Sequence, residues 1–214
     1  MSGRVTRQQP GIQFVTDRHA TLGRPLLSVV IAALEGGASL IQVREKDLLG
    51  AALLLLVSQV VAEARRVAPG RARVLVNDRL DVALAAKAAG VHLPASGLPM
   101  AAARRLAGRK LLVGRSVHTL SEARAAEKAG ADHLLFGPVF ATPGKAAYGE
   151  PQGAAALRRV VEAVRIPVWA IGGITPESVT ELRGIEVAGV GAVRAIAAAE
   201  DPAAAVRALR AALS

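Results

Sequence analysis

The sequence predicts an α/β protein built as a single (β/α)8 TIM barrel, and three observations carry that expectation. Short apolar runs alternate eight times with longer Ala/Leu-rich runs. The short runs are almost continuously hydrophobic, as parallel strands buried on both faces must be. Eight such units fit into 214 residues only with short connections, which suits a closed barrel.

The strand runs fall at 12–16, 40–43, 74–76, 90–93, 111–114, 133–136, 168–171 and 190–193. The helical runs that follow them fall at 26–35, 49–67, 82–89, 100–107, 120–129, 154–164, 177–182 and 203–213. A doubly wound open sheet is the other architecture that strict alternation allows. Local signals set the boundaries. Thr119 with Glu122 forms a capping box, and Gly130 stops the helix it starts. Thr175–Pro176 and Asp201–Pro202 each place a capping residue before a proline at the first helical position. Asn77 and Asp78 end the third strand run. Residues 1–214 read as one domain, with 1–11 as a flexible lead.

Composition narrows the chemistry. With no cysteine, the chain has no disulfide framework, thiolate metal site or cysteine nucleophile. No apolar run has the length of a membrane span, and residues 1–16 lack the apolar centre of a signal peptide, so the expected location is the cytoplasm without membrane contact. A net charge of +10 attracts anions. Arg65–Arg66, Arg104–Arg105 and Arg158–Arg159 read as solvated helix faces. One Trp, one Tyr and three Phe leave little for nucleic-acid bases to stack on, so no specific nucleic-acid partner is expected.

In a barrel of this kind, chemistry gathers at the carboxyl ends of the strands. Gly172–Gly173 after the seventh run let the backbone approach a phosphate, and the helix that follows offers free N–H groups. Arg194 after the eighth run adds a cation, and Arg44, Lys46 and Lys145 add others along the rim. Asn77 and Ser116 complete the expected substrate-binding set. His118, just past the fifth run, is the acid/base candidate, because imidazole titrates near neutrality. His92 reads as a satisfied core or rim residue, and His19 and His133 as incidental. Asp78 has the chemistry of a metal ligand, but no second carboxylate follows the fourth run, so no metal site is expected.

Taken in order, these residues resemble a known family. Phe14-Val-Thr-Asp17, Gln42-Val-Arg44-Glu-Lys46-Asp47, Asn77-Asp78-Arg79, Gly90-Val-His92-Leu93, Gly137-Pro138-Val-Phe140-x-Thr142 through Lys145, and Ala170-Ile-Gly172-Gly173-Ile174 together resemble the thiamin-phosphate synthase/TenI family. The resemblance runs from about Gln13 to Ile196 and implies a barrel that takes a small phosphorylated thiazole and self-associates. The synthase branch couples a pyrimidine pyrophosphate to thiazole phosphate with magnesium. The TenI branch aromatises a thiazole carboxylate phosphate by moving a proton.

Synthases usually follow the fourth strand with Gly-Gln-x-Asp, whose aspartate binds magnesium, whereas this chain has Leu93-Pro94-Ala95-Ser96-Gly97-Leu98. Arg115 also resembles the TenI form, since synthases commonly carry a small or apolar residue there. At Arg194 the family more often has a serine that helps hold the thiazole phosphate. The expectation drawn from the resemblance is therefore a thiazole tautomerase, an isomerase without cofactor, with His118 moving the proton. The alternatives are a thiamin-phosphate synthase with an altered magnesium site, and a non-catalytic ligand-binding or regulatory protein.

Overall fold

Eight parallel strands close on one another in sequence order, β1 to β8, and the last pairs with the first. The computed structural model describes residues 10–141 and 150–213. Thr142, Lys145 and residues 1–9 lie outside them. The strands are β1 (Gly11–Val15), β2 (Leu40–Val43), β3 (Arg73–Asn77), β4 (Gly90–Leu93), β5 (Leu112–Val117), β6 (His133–Phe136), β7 (Val168–Ile171) and β8 (Gly189–Ala192). Between and after them run α1 (Leu26–Glu35), α2 (Gly50–Val67), α3 (Leu80–Ala85), α4 (Met100–Ala107), α5 (Leu120–Lys128), α6 (Gly153–Ala163), α7 (Pro176–Val179), α8 (Arg194–Ala197) and α9 (Pro202–Leu213). The closed barrel is the architecture the sequence predicts, and the open-sheet alternative falls with the β1–β8 pairing.

Strand alternation divides each strand between two cores. The outward set, such as Phe14, Val76, Leu134 and Phe136, packs under the helices. The inward apolar set is Leu40, Leu75 and Trp169 at the floor of the lumen, with Leu135 packed on them from the cavity wall. Trp169 spans that floor because its neighbours have no side chain. A Cβ on Gly11 would lie 2.5 Å from Trp169 Cη2, and one on Gly189 would overlap the same ring. Gly11 is therefore the first residue of β1, paired with Gly189, and not part of a flexible lead.

Above the floor the lumen turns polar. Gln13 Nε2 donates to Gln42 Oε1 at 2.7 Å, and Gln42 Nε2 donates to Asn77 Oδ1 at 3.0 Å. His92 and His133 face one another with ring centroids 5.7 Å apart. Gly114 makes room for both: a Cβ there would overlap the His133 ring and sit 2.6 Å from His92 Nδ1. His133 is thus a buried member of the lumen, not an incidental residue. Burial is the main force pushing its pKa down to about 4, with Asp132 opposing and Arg73 adding to the shift.

Several boundaries move for local reasons. β5 extends through Arg115 and Ser116, because these pair with Leu134 and Leu135 of β6. α3 stops at Ala85, where Lys87 at φ 52 closes the turn. The seventh helical run is one α turn followed by a 3-10 turn at Thr180–Leu182. α8 is an additional short helix that the hydrophobic pattern does not announce.

The arginine pairs are not simply solvated faces. Arg104 donates to the carbonyls of Gly130, Gly108 and Leu111 and to Asp132 Oδ2 at 2.5 Å, tying the ends of α4 and α5 together. Asp132 also accepts the Val113 N–H at 2.7 Å. Arg24 binds the carbonyls of Ala197 and Glu200, Arg158 that of Gly184, and Arg210 that of Gly37. These guanidiniums satisfy carbonyls at helix ends and loops, which otherwise lack intrahelical partners.

Two outcomes are expected. Arg104→Ala should lower the unfolding free energy by about 2–3 kcal/mol in urea titrations, because it strips charged hydrogen bonds from several carbonyls at once. A loss below about 0.5 kcal/mol, the range of an ordinary surface substitution, would refute the staple. The second outcome concerns pH. In the unfolded chain His133 takes up a proton near its ordinary value of 6.5, whereas in the fold it does so only near 4. Its contribution to stability is thus complete above the unfolded value and is lost as pH falls between the two, at up to about 1.4 kcal/mol per pH unit. His133→Leu should flatten the acid limb of the urea midpoint against pH, and identical limbs in the two proteins would sink the assignment.

Candidate active site

A cavity of about 1380 Å³ opens at the carboxyl ends of the strands. Ligand pockets for one small molecule occupy roughly 300–1,000 Å³, so this one has room for two. Its wall includes Arg44, Lys46, Asn77, Ser116, His118, Gly172, Gly173 and Arg194, so every expected site residue among the described ones reaches the same space. Lys145 lies outside the described residues.

The β2 end supplies one cationic sector. Along Arg44-Glu45-Lys46 the backbone alternates, burying Glu45 and leaving Lys46 exposed. Glu45 is 5% exposed and accepts from Thr16 Oγ1 at 2.6 Å and from the Arg18 N–H at 3.1 Å. Thr16 Oγ1 in turn accepts the Arg44 N–H at 2.9 Å. Arg18 also forms a two-pronged pair with Asp47, at 2.5 Å on each arm, and His19 Nε2 lies 3.0 Å from the same carboxylate. The Arg18 guanidinium holds the Asp47 carboxyl well below the usual carboxylate range, with His19 adding to it. This network fixes the backbone that presents Arg44 and Lys46. Thr16, Arg18 and Glu45 were not in the sequence-based site; the alternating charges from Arg44 to Asp47 were the available signal.

Beside this sector β3 delivers Asn77, whose Oδ1 is held by Gln42, and then Asp78. Asp78 has φ 63, a left-handed conformation that Asp tolerates better than most residues, and its N–H donates to the His92 carbonyl at 2.8 Å. Next come His92 and Ser116. His92 is fully buried and its Nε2 lies 2.9 Å from Ser116 Oγ. Burial, and then His133, Arg115 and Arg44, push its pKa well down, so it stays neutral and orients the serine hydroxyl. His92 is only half satisfied, since Nδ1 has no hydrogen-bond partner among the described residues.

His118 follows β5. Its Nδ1 hydrogen-bonds the Gly137 carbonyl, so this nitrogen carries a proton and Nε2 is the other polar atom of the ring. The His118 N–H donates to Glu122 at 2.6 Å, while Thr119 Oγ1 accepts the Glu122 N–H at 3.2 Å. The carboxylate therefore closes on the residue before the cap.

The second anion-friendly sector lies at β7 and β8. Gly172 and Gly173 have φ 98 and 63, and a Cβ on either would strike the 138–141 segment at 2.6 Å. That segment is bound to the turn by Phe140 N–H to the Gly172 carbonyl at 3.0 Å. The helix after the turn offers less than the sequence suggests. Thr175 N–H is taken by Ser178 Oγ, Ser178 N–H by Thr175 Oγ1, and Pro176 has none. Glu177 adds a negative charge in the same first turn. The remaining donors are the glycine turn itself and the start of α8, where Arg194 stands.

For a metal, the chemistry of the donors is restrictive. No group of three or more His, Cys, Asp or Glu is arranged to hold an ion among the described residues. Magnesium is commonly held by one or two carboxylates together with substrate phosphate oxygens and water. Asp78, on the cavity wall beside Arg44 and Lys46, fits the one-carboxylate form of that arrangement.

Comparison with known proteins agrees with this rim. The family TMP-TENI, described as thiamine monophosphate synthase, matches residues 12–196. The chain is 48% identical over 181 residues to a thiamine-phosphate synthase of Anaeromyxobacter dehalogenans, covering 85% of this chain and 80% of that one. It is 44% identical over 188 residues to a thiamine-phosphate synthase of Moorella thermoacetica, covering 88% of each. A solved thiamine phosphate pyrophosphorylase from Pyrococcus furiosus superposes with a TM-score of 0.87 at 36% identity, covering 97% of this chain and 96% of that one. These names overturn the tautomerase assignment: relatives matched over more than four-fifths of the chain are synthases, whereas that assignment leaned chiefly on one loop and Arg115. A match spanning β1 to α8, on a barrel of the same shape, places the chain in the thiamin-phosphate synthase/TenI family.

Proposed function

We propose that this protein is a thiamin-phosphate synthase, a transferase that joins a pyrimidine pyrophosphate to a thiazole phosphate. The observation that carries the proposal is a cavity larger than one small molecule needs, with two anion-friendly sectors separated by β1. Arg44, Lys46 and Asn77 form one sector, and Gly172, Gly173 and Arg194 the other. A thiazole carboxylate phosphate also carries two anionic groups, so the sectors alone do not separate the readings; the size of the cavity favours two partners held at once.

In the coupling, the lone pair of the thiazole nitrogen forms a bond to the pyrimidine methylene carbon. The carbon–oxygen bond to pyrophosphate breaks, and pyrophosphate leaves with the bonding pair. No proton is removed from either partner, so no general base is required. What the step demands is stabilisation of charge on the departing oxygen and alignment of two rings. Arg44 and Lys46 meet the first demand, with the Asn77 amide beside them. Asp78 would hold magnesium, which when bound shields the pyrophosphate charge. The glycine turn and Arg194 would anchor the thiazole phosphate, while Leu135 and Ile171 give the rings an apolar seat. Ser116, oriented by His92, presents a hydroxyl to the pyrimidine side. His118 is then a brace for the Gly137 carbonyl and a ring on the wall, not a proton carrier.

Supplied with both substrates and magnesium, the purified protein should release thiamin phosphate and pyrophosphate in equal amounts; absence of both products would overturn the proposal. His118→Ala should keep kcat within about tenfold of the parent, because losing a required general base typically costs 100-fold or more. A greater loss would return the histidine to the chemistry. The two sectors should also separate kinetically. Arg44→Ala should raise KM for the pyrophosphate substrate, and Arg194→Ala that for the thiazole phosphate, each by about tenfold or more for a lost charged contact. A uniform effect on both constants would contradict the division.

A further inference from the structure

Arg115 does not line the cavity, yet it grips a segment that does. It sits on β5 in the outward register, between the buried Val113 and Val117 neighbours of the helical layer. Its Nη2 donates to the Ala95 carbonyl at 2.6 Å and its Nη1 to the Leu98 carbonyl at 2.9 Å. Those carbonyls belong to the connection from β4 to α4, whose Pro94, Ala95 and Ser96 form one side of the cavity. The helix lends this connection little support, since α4 begins after Pro99 with no side-chain cap.

The same connection packs against Asp78. A Cβ on Gly97 would lie 2.8 Å from Asp78 Oδ1 and 2.8 Å from Pro94 Cδ. The Gly97 N–H also closes back on the Pro94 carbonyl at 2.9 Å. The connection is therefore held by a guanidinium and touches a carboxylate, and a Cβ at 97 would displace one of its neighbours. Asp78 itself follows the strand in a left-handed conformation, and its Oδ1 lies against Gly97 of the connection.

We propose that Arg115 is a positioning residue for Asp78: by holding the 95–98 backbone it sets the carboxylate that would share magnesium with the substrate pyrophosphate. This rests on the synthase reading for the identity of the ligand. On this reading the clamp sharpens the placement of the carboxylate at the cavity wall.

The test is calorimetric titration of the full chain with inorganic pyrophosphate, with and without magnesium, alongside amide hydrogen exchange. Arg115→Ala should weaken magnesium–pyrophosphate binding by about tenfold, the scale of one charged contact, and change metal-free pyrophosphate binding by less than about twofold. The amides of 95–98 should exchange faster in the same variant. Arg115→Lys, which supplies one donor group in place of a fork, should recover part of both effects. Gly97→Ala, which pushes the connection from the Asp78 side, should weaken the magnesium-dependent binding in the same direction with Arg115 intact. Faster exchange with unchanged magnesium–pyrophosphate binding would overturn the proposal, as would an equal loss with and without magnesium. A parent protein that binds no magnesium–pyrophosphate would instead overturn the synthase reading, and the role of Asp78 with it.

Discussion

The hydrogen-bonded seam between β1 and β8 is the constraint on which the rest of this structure depends. Closing a parallel sheet aims every strand end at the same rim and leaves a lumen that side chains must fill. At the floor Trp169 packs with leucines, and the seam strands accept its ring only because Gly11 and Gly189 have nothing to put in its way. One level up, amides and imidazoles replace hydrocarbon, and Gly114 yields its place to two histidine rings. Above them the lumen is open. The cavity is thus the level at which filling stops, and the polar layer beneath it is what orients the side chains on its wall.

That layering explains which features were legible in the sequence. Strands buried on both faces appear as nearly continuous apolar runs, so all eight were visible. The error at β5 has the same origin: Arg115 and Ser116 look like a loop, yet one points out to a connection and the other in to His92. Rim residues such as Arg44, Asn77, His118 and Gly172 were legible because they break apolar runs at their carboxyl ends. His133 was not, because its meaning comes from Gly114 on the neighbouring strand. Nor were the partners of the arginines. Arg24 meets a carbonyl 173 residues away, and no local pattern encodes such a contact.

The same contacts change what the net charge of +10 means. A basic chain invites a search for a polyanionic partner, yet much of this charge is engaged in binding carbonyls at helix ends and loops. Arg104 alone reaches three carbonyls and a carboxylate. Guanidinium suits this work better than ammonium, since its planar fork offers several donors in fixed directions. The charge that faces a ligand is the smaller set on the cavity wall, and the Thr16–Glu45–Arg18 network holds the backbone of its β2 portion in place.

The relatives are named synthases, against the tautomerase expectation drawn from a few local differences. A missing aspartate after β4 spoke against a magnesium site, and an arginine at 115 resembled the TenI form. In the fold the two differences meet: the arginine binds the very connection from which the aspartate is missing, and that connection packs on Asp78. A single carboxylate suffices for magnesium when phosphate oxygens and water complete the shell. The Nδ1 bond of His118 to a backbone carbonyl orients its ring without fixing its role. Nothing in a coupling between an unprotonated nitrogen and a departing pyrophosphate asks it to do more.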